Sequence, residues 1–460
     1  MADAYDVVVI GAGTGGYSCA LRLALLGKRV ALVERDQRLG GTCLLRGCIP
    51  TKALLQSASV MDTVNRSIEW GISASGQPDW SKIQAFQAKM VDKLVSGLTG
   101  LVKARKIDVV NGTASLRSGP SVEVDGRTLQ ATDVVLATGS TPRLLPGLQR
   151  SDRVITSDEA LTYGTIPGSV VIIGAGAIGL EFASFYRSMG AEVTLVEALP
   201  RIAPLEDEDA SKEIARAFRK RGISTYAGAS VEDVTEHDGG VDVTFTTGDS
   251  KKETTKADVC LVAVGRGPIT EGLGLEEAGV EVDRGFVKVD DQLQTTASRV
   301  WAIGDVAATP LQLAHVSFTE GYAVAERIGG ETIPAIEYTG IPRVTYCSPE
   351  IASVGLTEAQ AVERGHDVEV ERLNLQGIGK ANIVGEGGMV KVVAEKAGGP
   401  VLGVHMVGPH VTDLISEGML IVNWEAVPAE VAALIHPHPT LSEGVGEAFL
   451  ALAGKPLHGT

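Results

Sequence analysis

One segment of the chain has the order strand, glycine-rich turn, helix and acid-terminated strand, and it constrains the fold more than any other feature. An apolar run at 5–10 leads into the turn GAGTGG at 11–16. A helical pattern continues to Leu25, and a second apolar run closes on Glu34. This order is typical of a dinucleotide-binding βαβ unit. A single match of this kind is weak evidence.

The same unit occurs a second time. An apolar run at 170–173 leads into the turn GAGAIG at 174–179, and the next apolar run closes on Glu197. In both copies the acid lies 23 residues after the first glycine. Chance is a poor explanation for two complete matches with one internal spacing. We therefore expect two dinucleotides to bind this chain, each with its pyrophosphate at a helix N-terminus.

The glycines and the acids have separate roles in such a unit. Glycine lets the backbone approach the pyrophosphate, and the acid accepts hydrogen bonds from a ribose. Each copy also ends in a buried run that closes on glycine, and ligands bind at the carboxyl ends of such strands. The predicted contacts are Gly11, Gly13, Gly16, Glu34 and Gly139 in the first copy, and Gly174, Gly176, Gly179, Glu197 and Gly265 in the second.

Length and composition limit the class of protein. A chain of 460 residues exceeds the usual domain of about 100–200 residues, so several domains are expected. The formal net charge of −16 argues against a nucleic-acid partner, because phosphate binding needs a basic face. No apolar run reaches the roughly 18 residues that span a bilayer, and the acidic start lacks the features of a signal peptide. We expect a cytoplasmic protein that binds no membrane.

The pattern of strands and helices predicts an α/β fold with two Rossmann-like dinucleotide-binding domains and a C-terminal α+β domain. The dinucleotide-binding domains are expected at 1–148 and 149–270. A stretch at 271–342 contains another strand that ends in Gly-Asp. The remainder, 343–460, lacks a glycine fingerprint and alternates strands with two helical patterns.

Two of the five cysteines, Cys43 and Cys48, lie close together ahead of a helical pattern. A thiol near a helix N-terminus has a lowered pKa, which favours thiol–disulfide exchange. The spacing is not that of a zinc ribbon, and no second cysteine and histidine cluster completes a metal site. We predict a redox-active pair and no metal. Cys19, Cys260 and Cys347 lie in apolar or strand-like contexts and are predicted to be core thiols.

The two fingerprints, the C-x4-C segment and the sequence HPHPTLSE at 436–443 resemble the flavin disulfide reductase family over essentially the whole chain. The resemblance implies an FAD domain, an NAD(P) domain, a central domain at 271–342 that completes the FAD site and a homodimer-interface domain at 343–460. The residues that it assigns to FAD are Gly11, Gly13, Gly16, Glu34, Lys52, Gly112, Gly139, Asp305 and Ala314. Those that it assigns to the nicotinamide cofactor are Gly174, Gly176, Gly179, Glu197, Val231 and Gly265.

The resemblance also implies roles in the redox chemistry. Cys43 corresponds to the thiol that exchanges with substrate, and Cys48 corresponds to the thiol that faces the flavin. Family members pair the flavin-side lysine with a glutamate on the second fingerprint helix, so we predict an ion pair between Lys52 and Glu181. The helix dipole also favours an acid at that position, and both interpretations can hold.

A catalytic base is implied near the C-terminus. His438 resembles the base that family members supply from the partner subunit, and Glu443 would orient its ring. His436 is a second histidine in the same segment, and the family pattern favours His438. The bond from His438 to Pro439 is a candidate cis peptide.

The acid that closes the second fingerprint favours NAD over NADP. Glu197 would accept from a ribose 2′-hydroxyl and repel a 2′-phosphate. Ala198 follows it, and Arg201 lies slightly further on. NADPH-linked relatives such as glutathione or mycothione reductases would show basic residues here. The chain also lacks the C-terminal cysteine pair of mercuric reductases, and transhydrogenase-like relatives lack the dithiol.

These distinctions favour the branch of the family that oxidises protein-bound dihydrolipoamide to lipoamide with NAD⁺. Its expected partners are a second copy of the chain and the lipoyl-bearing subunits of 2-oxo acid dehydrogenase or glycine cleavage complexes. Two alternatives remain open: an NADPH-dependent disulfide reductase of the same family, and a non-catalytic flavoprotein subunit or redox sensor. Leu45 and Arg46 stand where Asn-Val is common in the family, a departure that bears on substrate access and redox tuning.

Overall fold

The computed structural model of the protein describes residues 3–117 and 119–458. The chain divides into two compact units, each assembled from three separate stretches. The first unit comprises Met1–Leu54, Ser81–Arg143 and Arg266–Tyr338, and the second comprises Leu55–Trp80, Leu144–Gly265 and Thr339–Thr460. The domain boundaries expected from the sequence stay predictions.

The first helix ends at Leu25, as its apolar pattern predicts. In chain order the helices are α1 (Thr14–Leu25), α2 (Gly41–Arg46), α3 (Cys48–Arg66), α4 (Trp80–Ala104), α5 (Ser157–Ala160), α6 (Ala177–Ser188), α7 (Glu208–Lys220), α8 (Ala314–Gly329), α9 (Glu358–Glu363), α10 (Gly379–Val384), α11 (Val411–Asn423), α12 (Pro428–Ala432) and α13 (Glu443–Leu452). Within the described residues, no helix is long and apolar enough to cross a membrane.

The strands that carry the two fingerprints end on Glu34 and Glu197, as predicted. In chain order the strands are β1 (Asp3–Ile10), β2 (Val30–Glu34), β3 (Asp108–Asn111), β4 (Ala114–Arg117), β5 (Ser121–Val124), β6 (Arg127–Leu136), β7 (Ser140–Pro142), β8 (Val154–Thr156), β9 (Ser169–Ile173), β10 (Glu192–Glu197), β11 (Ile223–Ala227), β12 (Ser230–His237), β13 (Gly240–Thr246), β14 (Lys252–Ala257), β15 (Val259–Val262), β16 (Arg266–Pro268), β17 (Val282–Asp283), β18 (Phe286–Val287), β19 (Val300–Ala302), β20 (Arg343–Thr345), β21 (Glu350–Gly355), β22 (Val368–Asn374), β23 (Met389–Glu395) and β24 (Val401–Gly408).

The first unit is built on a sheet with the strand order β3-β2-β1-β6-β5-β4, and β19 also pairs with β6. Strands β3, β2, β1, β6 and β19 run parallel. Val7, Val8 and Val9 of the central strand are fully buried, because apolar residues pack against both faces of the sheet. The first glycine turn therefore lies at the carboxyl end of a buried central strand.

The second unit contains a parallel sheet with the strand order β11-β10-β9-β15-β8. Its topology repeats that of the first unit. In both sheets the strand before the glycine turn is central, the next two strands lie on one side, and a later strand lies on the other. This arrangement confirms the predicted pair of Rossmann-like folds, with each glycine turn at the point where the strand order reverses.

The C-terminal part of the second unit is α+β, as predicted. Its antiparallel sheet has the order β20-β21-β24-β23-β22. Apolar side chains of α11 and α13, including Ile415, Val445 and Phe449, are buried in one core with this sheet.

A buried lysine links the antiparallel sheet to helix α7. The side chain of Lys391 on β23 is 1% exposed, and its Nζ donates to Asp207, Asp209 and Glu358 at 2.8, 2.7 and 2.7 Å. Arg372 pairs with two of these carboxylates, those of Asp209 and Glu358. A buried charge is tolerated only when it is paired in this way.

This cluster predicts a specific acid sensitivity. Burial alone would raise the pKa of Asp209, but hydrogen bonds from Lys391 and Arg372 outweigh it and bring the pKa from 3.8 to about 2. The carboxylate therefore stabilises the fold above about pH 4, and this contribution is lost as the pH falls through about 2. At neutral pH we expect Asp209→Asn to cost about 2 kcal/mol. The difference in unfolding midpoint between variant and parent should narrow towards pH 2, and a constant difference would contradict the prediction.

Candidate functional site

The glycines of the first fingerprint have two different structural roles. A Cβ on Gly11, at φ 103°, would lie 2.3 Å from the carbonyl oxygen of Ala137, and a Cβ on Gly16 would lie 1.8 Å from that of Gly11. Both positions therefore exclude any side chain. A Cβ on Gly13 would meet its nearest neighbour only at 4.0 Å, at the Cα of Gly41. The space at Gly13 fits the close approach of a pyrophosphate to the N-terminus of α1.

The second fingerprint repeats this geometry. A Cβ on Gly174, also at φ 103°, would lie 2.4 Å from the carbonyl oxygen of Ala263, and a Cβ on Gly179 would lie 1.9 Å from that of Gly174. Gly176, which precedes α6, has open space around its Cα. The two predicted dinucleotide sites are therefore built alike.

The two fingerprint acids also have matching environments. Glu34 accepts from the backbone N–H groups of Ala12 at 2.8 Å and Asp36 at 2.9 Å. Glu197 accepts from those of Ala175 at 2.6 Å and Leu199 at 2.8 Å. Both acids are 7% exposed. Each carboxylate is held beside its glycine turn, where a ribose hydroxyl can donate to it.

Arg201, a basic residue near Glu197, hydrogen-bonds to the backbone of its own loop. Nη2 of Arg201 donates to the backbone carbonyls of Pro204 at 3.2 Å and Glu206 at 3.1 Å. This guanidinium is therefore committed to the loop rather than to a 2′-phosphate beside Glu197. Val231, the predicted adenine contact, is half-buried on β12.

The residues that follow the two strand-closing glycines were not predicted, although their positions in the repeat could have indicated them. Ser140 follows Gly139, and Arg266 follows Gly265. Ser140 Oγ donates to Asp305 at 2.6 Å and accepts from Nε of Arg266 at 2.7 Å. The predicted FAD ligand Asp305 is thus held by side chains from distant parts of the chain.

A buried glutamate, Glu320, holds the backbone next to Asp305. The neighbouring Gly304 N–H donates to Glu320 Oε2 at 2.6 Å, and the hydroxyl of Tyr338 donates to Glu320 Oε1 at 2.9 Å. Glu320 is fully buried, and burial raises the pKa of its carboxyl group. The predicted contact Ala314 is the first residue of α8, the helix that carries Glu320. The predicted contact Gly112 has φ 147° and donates its N–H to the backbone of Glu34 at 3.0 Å.

The predicted redox cysteines lie on adjacent helices. Cys43 is in α2, and Cys48 is the first residue of α3. The hydrogen bond to Cys48 and then burial raise the pKa of the Cys43 thiol, while the charge of Lys52 lowers it. The net shift is upward, so the lowered thiol pKa expected from the position near a helix N-terminus is not found at Cys43. Tyr17 on α1 lies in the same electrostatic environment, because burial and then the two cysteines raise its pKa to about 12. Tyr17 was not predicted, since nothing in its local sequence distinguishes it.

Lys52 lies in the first unit and Glu181 lies in the second, and their ion pair stays a prediction. Glu181 is 5% exposed, and within its own unit it accepts from the backbone N–H of Tyr346 at 3.0 Å.

The structure places the predicted base beside its predicted partner. His438 Nδ1 lies 2.8 Å from Glu443 Oε1, and the backbone N–H of Thr440 donates to Glu443 Oε2 at 2.8 Å. Burial alone would raise the pKa of Glu443, but the bonds from Thr440 and His438 outweigh it and lower that pKa. Glu443 is therefore a carboxylate at neutral pH. The bond between His438 and Pro439 is cis, as predicted.

Exposure separates the two histidines of this segment. His436 Nε2 lies 2.7 Å from Glu417 Oε1, so both histidines have a glutamate partner. The side chain of His436 is 13% exposed, whereas that of His438 is 77% exposed. Of these two histidines, only His438 has a largely exposed ring.

The remaining cysteines, Cys19, Cys260 and Cys347, are buried, as predicted for core thiols. Burial raises the pKa of each of these three thiols. Because they are buried, these thiols are also less accessible to a substrate than Cys43 and Cys48, which are half-buried.

Known proteins match the whole chain. Residues 5–321 match the family model for pyridine nucleotide-disulphide oxidoreductases, and 341–449 match the dimerisation domain of the same family. A dihydrolipoyl dehydrogenase of Bacillus subtilis is 43% identical, with 100% of both chains covered. One from Mycobacterium tuberculosis is 41% identical, with 99% of both chains covered.

Solved structures agree with this match. LpdA from Mycobacterium tuberculosis has a TM-score of 0.89 and 26% identity, and covers 98% of this chain and 99% of its own. The HOCl-induced flavoprotein disulfide reductase RclA from Escherichia coli, as its Cu(II) complex, has a TM-score of 0.88 and 28% identity, with 98% and 100% covered. The chain belongs to the pyridine nucleotide-disulphide oxidoreductase family. It is a flavoprotein oxidoreductase that uses FAD and NAD, and its two glycine turns and paired acids fit those cofactors.

Proposed function

We propose that this chain oxidises protein-bound dihydrolipoamide to lipoamide and passes the electrons through Cys43 and Cys48 to FAD and then to NAD⁺. The observation that carries the proposal is the cysteine pair beside Lys52 and Asp305, in a chain that matches dihydrolipoyl dehydrogenases from end to end. The placement of His438 against Glu443 supports it further, because a thiol substrate needs a base.

The first half of the reaction is thiol–disulfide exchange at the oxidised pair. His438 takes a proton from one thiol of dihydrolipoamide, and the resulting thiolate attacks Cys43, releasing Cys48 as a thiolate. The second substrate thiol then attacks the first substrate sulfur and passes its proton to Cys43, which leaves as a thiol and completes lipoamide. We propose that His438 of the partner subunit serves each dithiol, which requires the homodimer that the dimerisation domain indicates.

The proposed roles of the other residues follow from the site geometry. Gly13 and Glu34 would hold FAD, and Gly176 and Glu197 would hold NAD⁺. When bound, FAD would accept the electron pair of the dithiol and would pass it to NAD⁺ as hydride. Lys52 would stabilise thiolate charge beside the flavin. The natural partners would be lipoyl-bearing subunits of 2-oxo acid dehydrogenase or glycine cleavage complexes.

The initial rates of NAD⁺ and NADP⁺ reduction by dihydrolipoamide test the proposal. We expect fast reduction of NAD⁺ and reduction of NADP⁺ at least about 100-fold slower, because buried Glu197 repels a 2′-phosphate. Glu197→Ala should lower the ratio of the NAD⁺ rate to the NADP⁺ rate without changing the FAD content.

Two outcomes would contradict the proposal. Reduction of neither cofactor by dihydrolipoamide, together with NADPH oxidation by another disulfide, would indicate an NADPH-dependent disulfide reductase. No turnover in either assay would indicate a non-catalytic flavoprotein subunit or redox sensor.

A further inference from the structure

The short helix that carries Cys43 is tied at its N-terminal end to the first glycine turn. The backbone N–H of Gly40 donates to the carbonyl of Ala12 at 2.9 Å. A Cβ on Gly41 would lie 2.6 Å from the Cα of Gly13, so the two backbones are in close contact. The start of α2 is therefore held against the loop that would receive the FAD pyrophosphate.

The C-terminal end of α2 is tied to the same site by an ion pair. Arg46, the last residue of α2, donates Nη2 to Oδ2 of Asp36. The two side chains are 38% and 30% exposed, so the pair is partly shielded from solvent. Arg46 is also one of the two residues that depart from the family pattern between the cysteines.

Asp36 is itself held against the ribose acid. Its backbone N–H donates to Glu34 Oε1 at 2.9 Å, and its carbonyl accepts from Nδ2 of Asn111 at 3.1 Å. The loop after β2 therefore connects the carboxylate that would bind the FAD ribose with the guanidinium at the end of the cysteine helix. Both ends of α2 are thus fastened to the two halves of one dinucleotide site.

We propose that Arg46 is a positioning residue, whose ion pair with Asp36 fastens the Cys43 helix to the Glu34 loop and so couples FAD retention to the placement of the exchanging thiol. The proposal deepens the proposed function, since Cys43 is its exchanging thiol. Its test uses neither dihydrolipoamide nor NAD⁺. A wrong substrate assignment would therefore leave the result of this test unchanged, whereas a wrong role for Arg46 would change it.

The chain provides a matched control. Arg38 lies in the same loop and pairs with Asp92 at 2.7 Å, but these side chains are 46% and 65% exposed. An exposed pair of this kind contributes little. Arg38→Leu therefore removes a loop arginine and an ion pair without releasing either end of α2.

The first measurement is the rate of FAD release from purified holoprotein, followed by flavin fluorescence. We expect Arg46→Leu and Asp36→Asn each to speed release about fivefold, and the double variant to release no faster than either single variant. Arg46→Lys should release FAD more slowly than Arg46→Leu, because it keeps the positive charge. Arg38→Leu should release FAD at the parent rate. High salt should shrink the differences, because screening weakens the parent's ion pair.

The second measurement is the alkylation rate of Cys43 in the reduced holoprotein, read by mass spectrometry. If Arg46 positions the helix, both single variants loosen α2 and alkylation speeds up in both. If the effect were purely electrostatic, the alkylation rate would change in opposite directions in the two variants, because one variant removes a cation and the other removes an anion. The proposal would be overturned if the single variants released FAD at the parent rate, or if their effects on FAD release added up in the double variant. It would also be overturned if the alkylation rate of Cys43 rose in one single variant and fell in the other. Asp36→Asn keeps its side-chain volume and serves if Arg46→Leu does not fold.

Discussion

Cys48→Ser is expected to keep FAD bound and to lower the rate of lipoamide formation by at least about 10³-fold. The reason is chemical, since a hydroxyl cannot form the disulfide that accepts the substrate's electrons. Cys48 is the first residue of α3 and lies outside both glycine turns in the sequence. We therefore expect the flavin absorbance of the purified variant to equal that of the parent while turnover is lost.

The chain contains a control for this experiment. Cys260 is a fully buried thiol of the second unit, and Cys260→Ala removes one sulfur without touching the pair. That variant should turn over at nearly the parent rate with at most a small loss of stability. Unchanged lipoamide turnover in Cys48→Ser would rule out the dithiol mechanism.

His438→Gln is expected to lower kcat by about 10²–10⁴-fold, which is the usual contribution of a positioned general base. The FAD content should not change, because none of the predicted FAD-binding residues belongs to the segment that carries His438. Glu443→Gln should cause a smaller loss, because it removes the carboxylate that orients the ring but leaves the base.

His436→Gln is the matched control for the base. It removes the neighbouring histidine, which has its own glutamate partner but is only 13% exposed. The steady-state kcat values of His436→Gln and His438→Gln decide which histidine is the base. A large loss in His436→Gln with near-parent activity in His438→Gln would reverse the assignment of the base.

The sequence was most informative where steric or chemical requirements are local. Gly11 and Gly16 must be glycine because backbone atoms occupy the space of a side chain. The same requirement at Gly174 and Gly179 made the repeat visible, and the structure confirms it as a repeated sheet topology. His438 and Glu443 were predicted from the resemblance, and they lie together because only five positions separate them and one turn connects them.

Contacts between distant residues could not be read in this way. Asp305 and Ser140 are 165 residues apart, and Ser140 and Arg266 are 126 apart, yet they form one hydrogen-bonded chain. Lys391 is a single lysine in a strand pattern, and the three carboxylates that make its burial tolerable come from other elements. No local period or spacing carries this information.

By itself, the sequence determined the family and the two dinucleotide folds, because the glycine turns are short patterns whose geometry is imposed by the backbone. The dithiol role of Cys43 and Cys48 stays a prediction from the resemblance. The tertiary structure decided which histidine is exposed, what holds Asp305 and which carboxylate pairs with Arg46. These depend on burial and on charge pairing between elements, and both arise only when the chain folds and removes side chains from water. Arg46 stood out in the sequence only as a departure from the family pattern, and the folded chain gave it a partner in Asp36.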